Sequence, residues 1–121
     1  VSLHCPKNEE TTNMFSENEF KIMKESAFLI NCARGGIINE VALLDALKSG
    51  KIRAAGLDVY DDEPSISSNP LFGLDNILLS PHIAGVTQEA TIRMSKQAVQ
   101  NVLDVFDDNV DPEVIINKNV L

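Results

Sequence analysis

The sequence predicts an α/β fold in which a parallel sheet is covered by helices. Three short apolar runs predict buried strands, and each run ends at a polar or glycine-containing turn. One segment with helical patterning precedes the first run, and a second lies between the first and second runs. A long helical segment follows the third run. Because strands that alternate with helices are usually joined as parallel neighbours, the pattern predicts one parallel sheet.

The elements follow one another in a simple order along the chain. The predicted strands span residues 1–3, 27–32, 54–59 and 77–80. The predicted helices run from Ser16 to about Glu25, from Asn39 as cap to Gly50 as left-handed stop, and from about Thr87 to Asp107. Residues 65–73 have the composition of a loop, and the tail after residue 107 includes the short apolar run 114–116.

The start of the first helix is marked most clearly. Ser16 is expected to be the N-cap, and Glu19 stands three residues later, which is the spacing of a capping box. Phe15 and Phe20 are spaced to pack on each other across the cap as a hydrophobic staple.

Composition limits the classes of function. The chain has 121 residues, of which 44% are hydrophobic and 23% charged, as expected of one globular domain with a modest core. The net charge of −8 argues against nucleic acid or an anionic membrane as a partner. No apolar run approaches the roughly 20 residues of a membrane span, and no secretory signal is evident. These features predict a cytoplasmic protein.

A disulfide, a metal site and a serine hydrolase find little support in the sequence. The only cysteines, Cys5 and Cys32, are expected to be free thiols, with a single disulfide as the alternative. His4 and Cys5 lack the paired spacing of a metal site, so no metal is predicted. A serine hydrolase is not indicated because the sequence contains no G-x-S-x-G motif.

Chemically useful side chains follow three consecutive predicted strands. Arg34, Asp58 with Glu63 beyond it, and His82 are expected on one rim, because right-handed crossovers bring successive carboxyl ends to the same edge. This set suits the oxidation of a hydroxy acid. Arg34 can bind a carboxylate, while His82 exchanges the proton of the alcohol and a neighbouring carboxylate favours the imidazolium.

Each of these residues also has a purely structural interpretation. Arg34 can pair with a surface acid, and His82 can be an ordinary loop residue. Glu63 can belong to a solvated acidic turn, and Asp58 can accept backbone amides. Their joint occurrence after three consecutive strands favours the functional interpretation.

Three motifs, in order along the chain, carry a resemblance to a known family. They are the segments 31–40 (NCARGGIINE), 56–64 (GLDVYDDEP) and 80–85 (SPHIAG). Together they resemble the D-isomer-specific 2-hydroxyacid dehydrogenases, which include phosphoglycerate dehydrogenase and the glyoxylate and hydroxypyruvate reductases. The resemblance implies a Rossmann-type domain, a 2-hydroxy or 2-oxo acid substrate, and NAD as cofactor with NADP as the alternative.

The resemblance also implies roles for individual residues. Arg34 would bind the substrate carboxylate, Glu63 would support the histidine, and His82 would be the catalytic acid and base. The implied cofactor-binding residues are His4, Cys5, Pro6, Cys32, Ala33, Arg34, Asp58, His82, Ala84 and Gly85. One departure stands out, because Lys7-Asn8-Glu9 occupies the place where the family usually has Leu-Thr-Pro.

The chain contains no G-x-G-x-x-G motif, which is the phosphate-binding signature of dinucleotide-binding folds. We therefore expect the second half of a Rossmann-type domain with a long C-terminal helix, in which residues 1–108 form a partial NAD(P)-binding domain and 109–121 a tail. Alone, such a fragment is expected to be inactive and to self-associate, and its parent is expected to be a homodimer or higher homo-oligomer. The alternative of another class is a non-catalytic, dinucleotide-sensing corepressor of the same fold.

Overall fold

The computed structural model describes residues 1–65 and 68–120. Within these ranges the chain forms two compact units, one before residue 85 and one from residue 85 to residue 120. Residues 66 and 67 of the predicted loop lie outside the described residues, and Pro70–Gly73 of that loop forms a 3-10 turn. The predicted division of the chain at residue 108 stays a prediction.

The first unit is a four-stranded parallel sheet with helices, which confirms the predicted α/β fold. The strands β1 to β4 lie side by side in chain order. They are β1 (Ser2–Leu3), β2 (Phe28–Asn31), β3 (Ala54–Leu57) and β4 (Ile77–Leu79). The helices of this unit are α1 (Glu17–Ile22) and α2 (Glu40–Lys48).

The strands end level with one another. Leu3 pairs with Asn31, Asn31 with Leu57, and Leu57 with Leu79. Two further hydrogen bonds of 3.0 Å extend the ladder past the strand ends, from Asp58 N to Asn31 O and from Ser80 N to Leu57 O. The turns that follow β1 to β4 therefore leave the sheet from one common edge.

The sheet and its helices pack around an aliphatic core. Its fully buried members come from β2, the turn before α2, α2 itself, the segment before β3 and the 3-10 turn. They include Leu29, Ile37, Leu43, Ile52 and Leu71. Burying side chains of this kind contributes roughly 1.5–3 kcal/mol each.

The predicted caps are present, although the first helix is shorter than expected. Ser16 N donates to Glu19 Oε2 at 2.9 Å, and the rings of Phe15 and Phe20 lie 6.3 Å apart. The helix ends at Ile22 instead of near residue 25, because Met23 takes an extended conformation and a turn then leads into β2.

The second helix matches its capping signals closely. Asn39 accepts from Ala42 N at 3.0 Å, and Gly50 has a φ of 71°, the left-handed conformation expected of the residue that ends a helix.

The second unit consists of α3 (Gln88–Phe106) and two 3-10 turns, Pro112–Val114 and Lys118–Val120. Thr87 caps α3 by accepting from Ala90 N at 3.1 Å. None of the 19 residues of α3 is buried. No helix in the described ranges combines the length and the apolar character needed to cross a membrane.

Candidate active site

His82 and Glu63 form a hydrogen-bonded pair at the edge where the strands end. His82 Nδ1 lies 2.7 Å from Glu63 Oε2, and Glu63 Oε1 accepts from Tyr60 N at 2.9 Å. The carboxylate is thus held between a backbone amide and the imidazole. Because Nδ1 is engaged by Glu63, Nε2 is the ring nitrogen left for proton exchange.

The same contacts set the ionisation of Glu63. The hydrogen bond with His82, followed by the hydrogen bond from the Tyr60 amide, lowers the pKa of Glu63 below its ordinary value despite partial burial. Glu63 is therefore a carboxylate at neutral pH and presents an acceptor to Nδ1. The side chain of His82 is about half exposed, at 48%, so it remains open to a substrate.

Asp58 fixes the loop that carries His82. Asp58 is only 3% exposed. Oδ1 accepts from Ser80 Oγ at 2.5 Å and from Ile83 N at 2.9 Å, while Oδ2 accepts from Ala84 N at 2.9 Å. These bonds link the end of β3 to the loop after β4. Between the bonded residues His82 has a φ of 56°, a left-handed conformation that histidine tolerates only when its surroundings enforce it.

Burial and hydrogen bonding oppose each other at Asp58. Burial raises the pKa of the carboxyl, but the hydrogen bonds from Ser80, Ala84 and Ile83, together with the charge of His82, outweigh it, so that the pKa lies below its ordinary value. The structural interpretation of Asp58, as an acceptor of backbone amides, is therefore correct. A direct contact between Asp58 and a cofactor stays a prediction.

Arg34 lies in a turn that is held by a buried asparagine. Asn31 Nδ2 donates to Arg34 O at 2.9 Å, and Asn31 Oδ1 accepts from Ala33 N at 3.0 Å. The guanidinium of Arg34 is exposed and donates to Ala33 O at 2.6 Å. The turn also requires Gly35, because a Cβ at that position would lie 1.7 Å from Tyr60 O.

Two cavities divide the predicted site residues. One, of about 640 Å³, lies beside the pair of His82 and Glu63 and is lined by Tyr60, Glu63, Pro64, Ser65, Phe72, Leu79, Ser80, Pro81 and His82. The other, of about 580 Å³, is lined by His4, Cys5, Pro6, Lys7, Cys32, Ala33 and Arg34. In residues 1–65 and 68–120, no hydrogen bond or ion pair joins Arg34 to His82.

The structure thus gathers the predicted residues into two groups. Glu63 and Asp58, which follow β3, form hydrogen bonds with His82 and Ala84 of the loop after β4. The residues after β1 and β2 share the second cavity. Gly85 is the first residue of the second unit. In the described part of the chain, no group of three His, Cys, Asp or Glu residues is placed to hold a metal ion.

Two residues that hold the site in place, Asn31 and Tyr60, are not among those predicted from the sequence. Asn31 organises the arginine turn, and Tyr60 donates through its hydroxyl to Ser80 O at 2.9 Å. Burial raises the pKa of Tyr60, and the neighbouring Asp58 raises it further, which keeps the hydroxyl protonated as a donor. A signal did exist for Asn31, because it is a polar residue inside an otherwise apolar run.

A comparison with known families identifies the class of this domain. The family model described as "D-isomer specific 2-hydroxyacid dehydrogenase, NAD binding domain" matches residues 1–84. The chain belongs to this family. This result confirms the resemblance seen in the three motifs and the Rossmann-type assignment of the parallel sheet.

Individual relatives agree with this assignment. Over its whole length the chain is 42% identical to a glyoxylate reductase of Thermofilum pendens, of which it covers 35%. It is 39% identical over 87% of its length to a D-3-phosphoglycerate dehydrogenase of Archaeoglobus fulgidus, of which it covers 20%.

Solved structures show the same similarity. An NAD-complexed D-isomer specific 2-hydroxyacid dehydrogenase from Lactobacillus delbrueckii ssp. bulgaricus matches with a TM-score of 0.84 at 33% identity, over 97% of this chain and 39% of the other. The chain spans about a third or less of the length of the curated relatives described above.

Proposed function

We propose that the full-length protein containing this chain is a nicotinamide-dependent oxidoreductase that interconverts a D-2-hydroxy acid and the corresponding 2-oxo acid. The observation that carries the proposal is the contact of 2.7 Å between Glu63 Oε2 and His82 Nδ1. A carboxylate that orients one ring nitrogen leaves the other for a substrate oxygen, which is the arrangement required of a general acid and base. Family membership supports the same chemistry.

Each proposed catalytic residue has a defined task. His82 gives a proton to the carbonyl oxygen of the 2-oxo acid during reduction and removes it from the hydroxyl during oxidation. Glu63 keeps the ring of His82 oriented. Arg34 binds the substrate carboxylate through its planar guanidinium, whose donors match two carboxylate oxygens. The nicotinamide cofactor, when bound, supplies or accepts the hydride.

We propose NAD as the cofactor, with NADP as the alternative. The cavity at the ends of β1 and β2 fits an anionic dinucleotide, because its lining includes the cations of Lys7 and Arg34. The implied contacts are made by the residues of that cavity, with Asp58, His82, Ala84 and Gly85 toward the nicotinamide. The residue that selects between the two cofactors normally follows a G-x-G-x-x-G motif, which this sequence does not contain.

Two properties of the parent protein belong to the same proposal. Cys5 and Cys32 are both free thiols, which supports the reducing environment of the cytoplasm. The apolar, exposed residues of α3 support a homodimer or higher homo-oligomer. The corepressor alternative receives no support, because the relatives and structures described above are named as reductases or dehydrogenases.

The test is reduction of a series of 2-oxo acids by the full-length protein with NADH and with NADPH. Wild type is expected to consume reduced cofactor with at least one 2-oxo acid, and His82→Ala to lower kcat by about 100- to 10,000-fold, the usual contribution of general acid catalysis. Far-ultraviolet circular dichroism serves as the control for folding and should be unchanged. Near-normal turnover by His82→Ala would remove the assignment.

A further inference from the structure

Lys7 reaches from one strand end to the next. It lies in the loop after β1, yet its ammonium rests against the turn after β2. A Cβ placed on Gly36 would lie 2.4 Å from Lys7 Nζ and 2.8 Å from Lys7 Cε. Gly36 has a φ of 77° and bears no side chain, so the lysine occupies the space that a side chain there would fill. Lys7 and Arg34 line the same cavity.

The cavity that Lys7 lines has an unusual charge for this chain. The chain as a whole carries a net charge of −8. In the described part of the chain, however, the lining of this cavity includes Lys7, Arg34 and His4 and not a single carboxylate. A concave surface that carries cations and no carboxylate attracts anions, and low-dielectric walls strengthen the attraction.

The two cations suit different partners. Arg34 has the planar fork that matches a carboxylate, which is its proposed role at the substrate. Lysine offers a compact charge with three rotatable donors, and it is a common ligand of phosphate oxygens. A ligand with a carboxylate alone is satisfied by Arg34. A second, separate cation in the same cavity therefore fits a ligand that also brings a phosphate group.

We propose that Lys7 is a phosphate-binding residue of this cavity. The phosphate has two possible sources in the proposed reaction, and the chemistry is the same for both. One is the diphosphate of the dinucleotide. The other is a phosphate ester on the 2-oxo acid itself. The inference deepens the proposed function and rests on it for the identity of these ligands.

The test compares Lys7→Met with wild type in the full-length protein. Methionine keeps an unbranched apolar chain that can cover Gly36, while it removes the positive charge. Lys24→Met is the matched control, because Lys24 is also exposed but lies before β2, at the opposite end of that strand. Two measurements are made on each variant, the dissociation constant for NADH and kcat/KM for a phosphorylated and an unphosphorylated 2-oxo acid.

The two measurements separate the two sources of phosphate. If the diphosphate is bound, Lys7→Met should raise the dissociation constant for NADH roughly 10- to 100-fold, the usual effect of losing a hydrogen bond to a charged group. If the ester is bound, kcat/KM should fall by a similar factor for the phosphorylated acid alone. Either loss should diminish as ionic strength rises above about 0.1 M.

The proposal is overturned if Lys7→Met differs from Lys24→Met by less than twofold in both measurements. Failure of the proposed function looks different. In that case wild type turns over no 2-oxo acid with either cofactor, while the dissociation constant for NADH still shows whether Lys7 binds the diphosphate.

Discussion

At the scale of single residues, the site depends on how Glu63 divides its two oxygens. One oxygen accepts from Tyr60 N at 2.9 Å, and the other contacts His82 Nδ1 at 2.7 Å. The backbone amide fixes the carboxylate, and the carboxylate then fixes the imidazole. In the proposed reaction, Glu63 would therefore act through His82 as a positioning residue.

Replacing Glu63 by glutamine tests this role. Glutamine keeps the size of the side chain but replaces the charge-assisted contact with His82 Nδ1 by a weaker, neutral one. We expect Glu63→Gln to lower kcat for reduction of the 2-oxo acid with little change in KM, because the ring of His82 is then held less firmly. Steady-state kinetics in the reductive direction measure both constants. An unchanged kcat would show that Glu63 is only a turn residue.

At the scale of the elements, the turn after β2 is in close contact with the turn after β3. Gly35 follows β2 and lies against the backbone that follows β3, where an added Cβ would be 1.7 Å from Tyr60 O. Backbone atoms cannot yield to such an overlap without moving the strand ends apart. The same displacement would disturb the turn of Arg34 and the amide that holds Glu63.

We predict that Gly35→Ala destabilises the fold by roughly 3 kcal/mol, because overpacking against backbone is among the larger effects of single substitutions. Gly73→Ala is the matched control, since an added Cβ there meets no atom within 4 Å. The control should change the free energy of unfolding by less than about 1 kcal/mol. Chemical denaturation of both variants measures the difference, and equal stabilities would contradict the role of the contact.

The two carboxylates that hold the loop after β4 make the stability of the fold sensitive to acid. The pKa of Asp58 lies below its ordinary 3.8 and that of Glu63 below its ordinary 4.5. The unfolded chain therefore binds more protons than the folded chain in this range, so their contribution to stability is complete above about pH 4.5 and is lost as the pH falls through the lowered pKa values.

We expect the free energy of unfolding to fall below about pH 4.5 in wild type and to depend less on pH in Asp58→Asn, which has no charge to titrate at this position. The variant should also be less stable at neutral pH, because an amide cannot accept all the hydrogen bonds from Ser80, Ile83 and Ala84. Chemical denaturation of wild type and Asp58→Asn from neutral to acidic pH measures both differences in the free energy of unfolding. An equally steep acid limb in Asp58→Asn would assign the effect to other carboxyls.

The elements were predictable where a local signal determines them. The cap at Asn39 and the stop at Gly50 act within one turn of helix, and the apolar runs of the strands need no distant partner to be recognised. The early end of α1 at Ile22 was not predictable, because it depends on how the chain enters β2. The three hydrogen bonds of Asp58 join residues more than 20 positions apart, and no local pattern encodes them.

At the scale of the whole molecule, the long helix α3 leaves its apolar side chains exposed. None of the 19 residues of α3 is buried, and its apolar side chains cover about half of its circumference. They are Ile92, Met94, Ala98, Val99, Val102, Leu103, Val105 and Phe106. A helix of this length is marginal in water unless packing covers its apolar face.

We therefore predict that the 121-residue chain self-associates through α3. Sedimentation equilibrium should show a dimer or larger species at micromolar concentration. Val102→Lys with Phe106→Lys, two exposed positions one turn apart, should shift the chain toward monomer, because two like charges would be brought into the apolar contact. Gln97→Lys with Asn101→Lys is the matched control on the polar face of α3, and it should leave the association intact. A wild-type chain that sediments as a monomer throughout this range would refute the prediction.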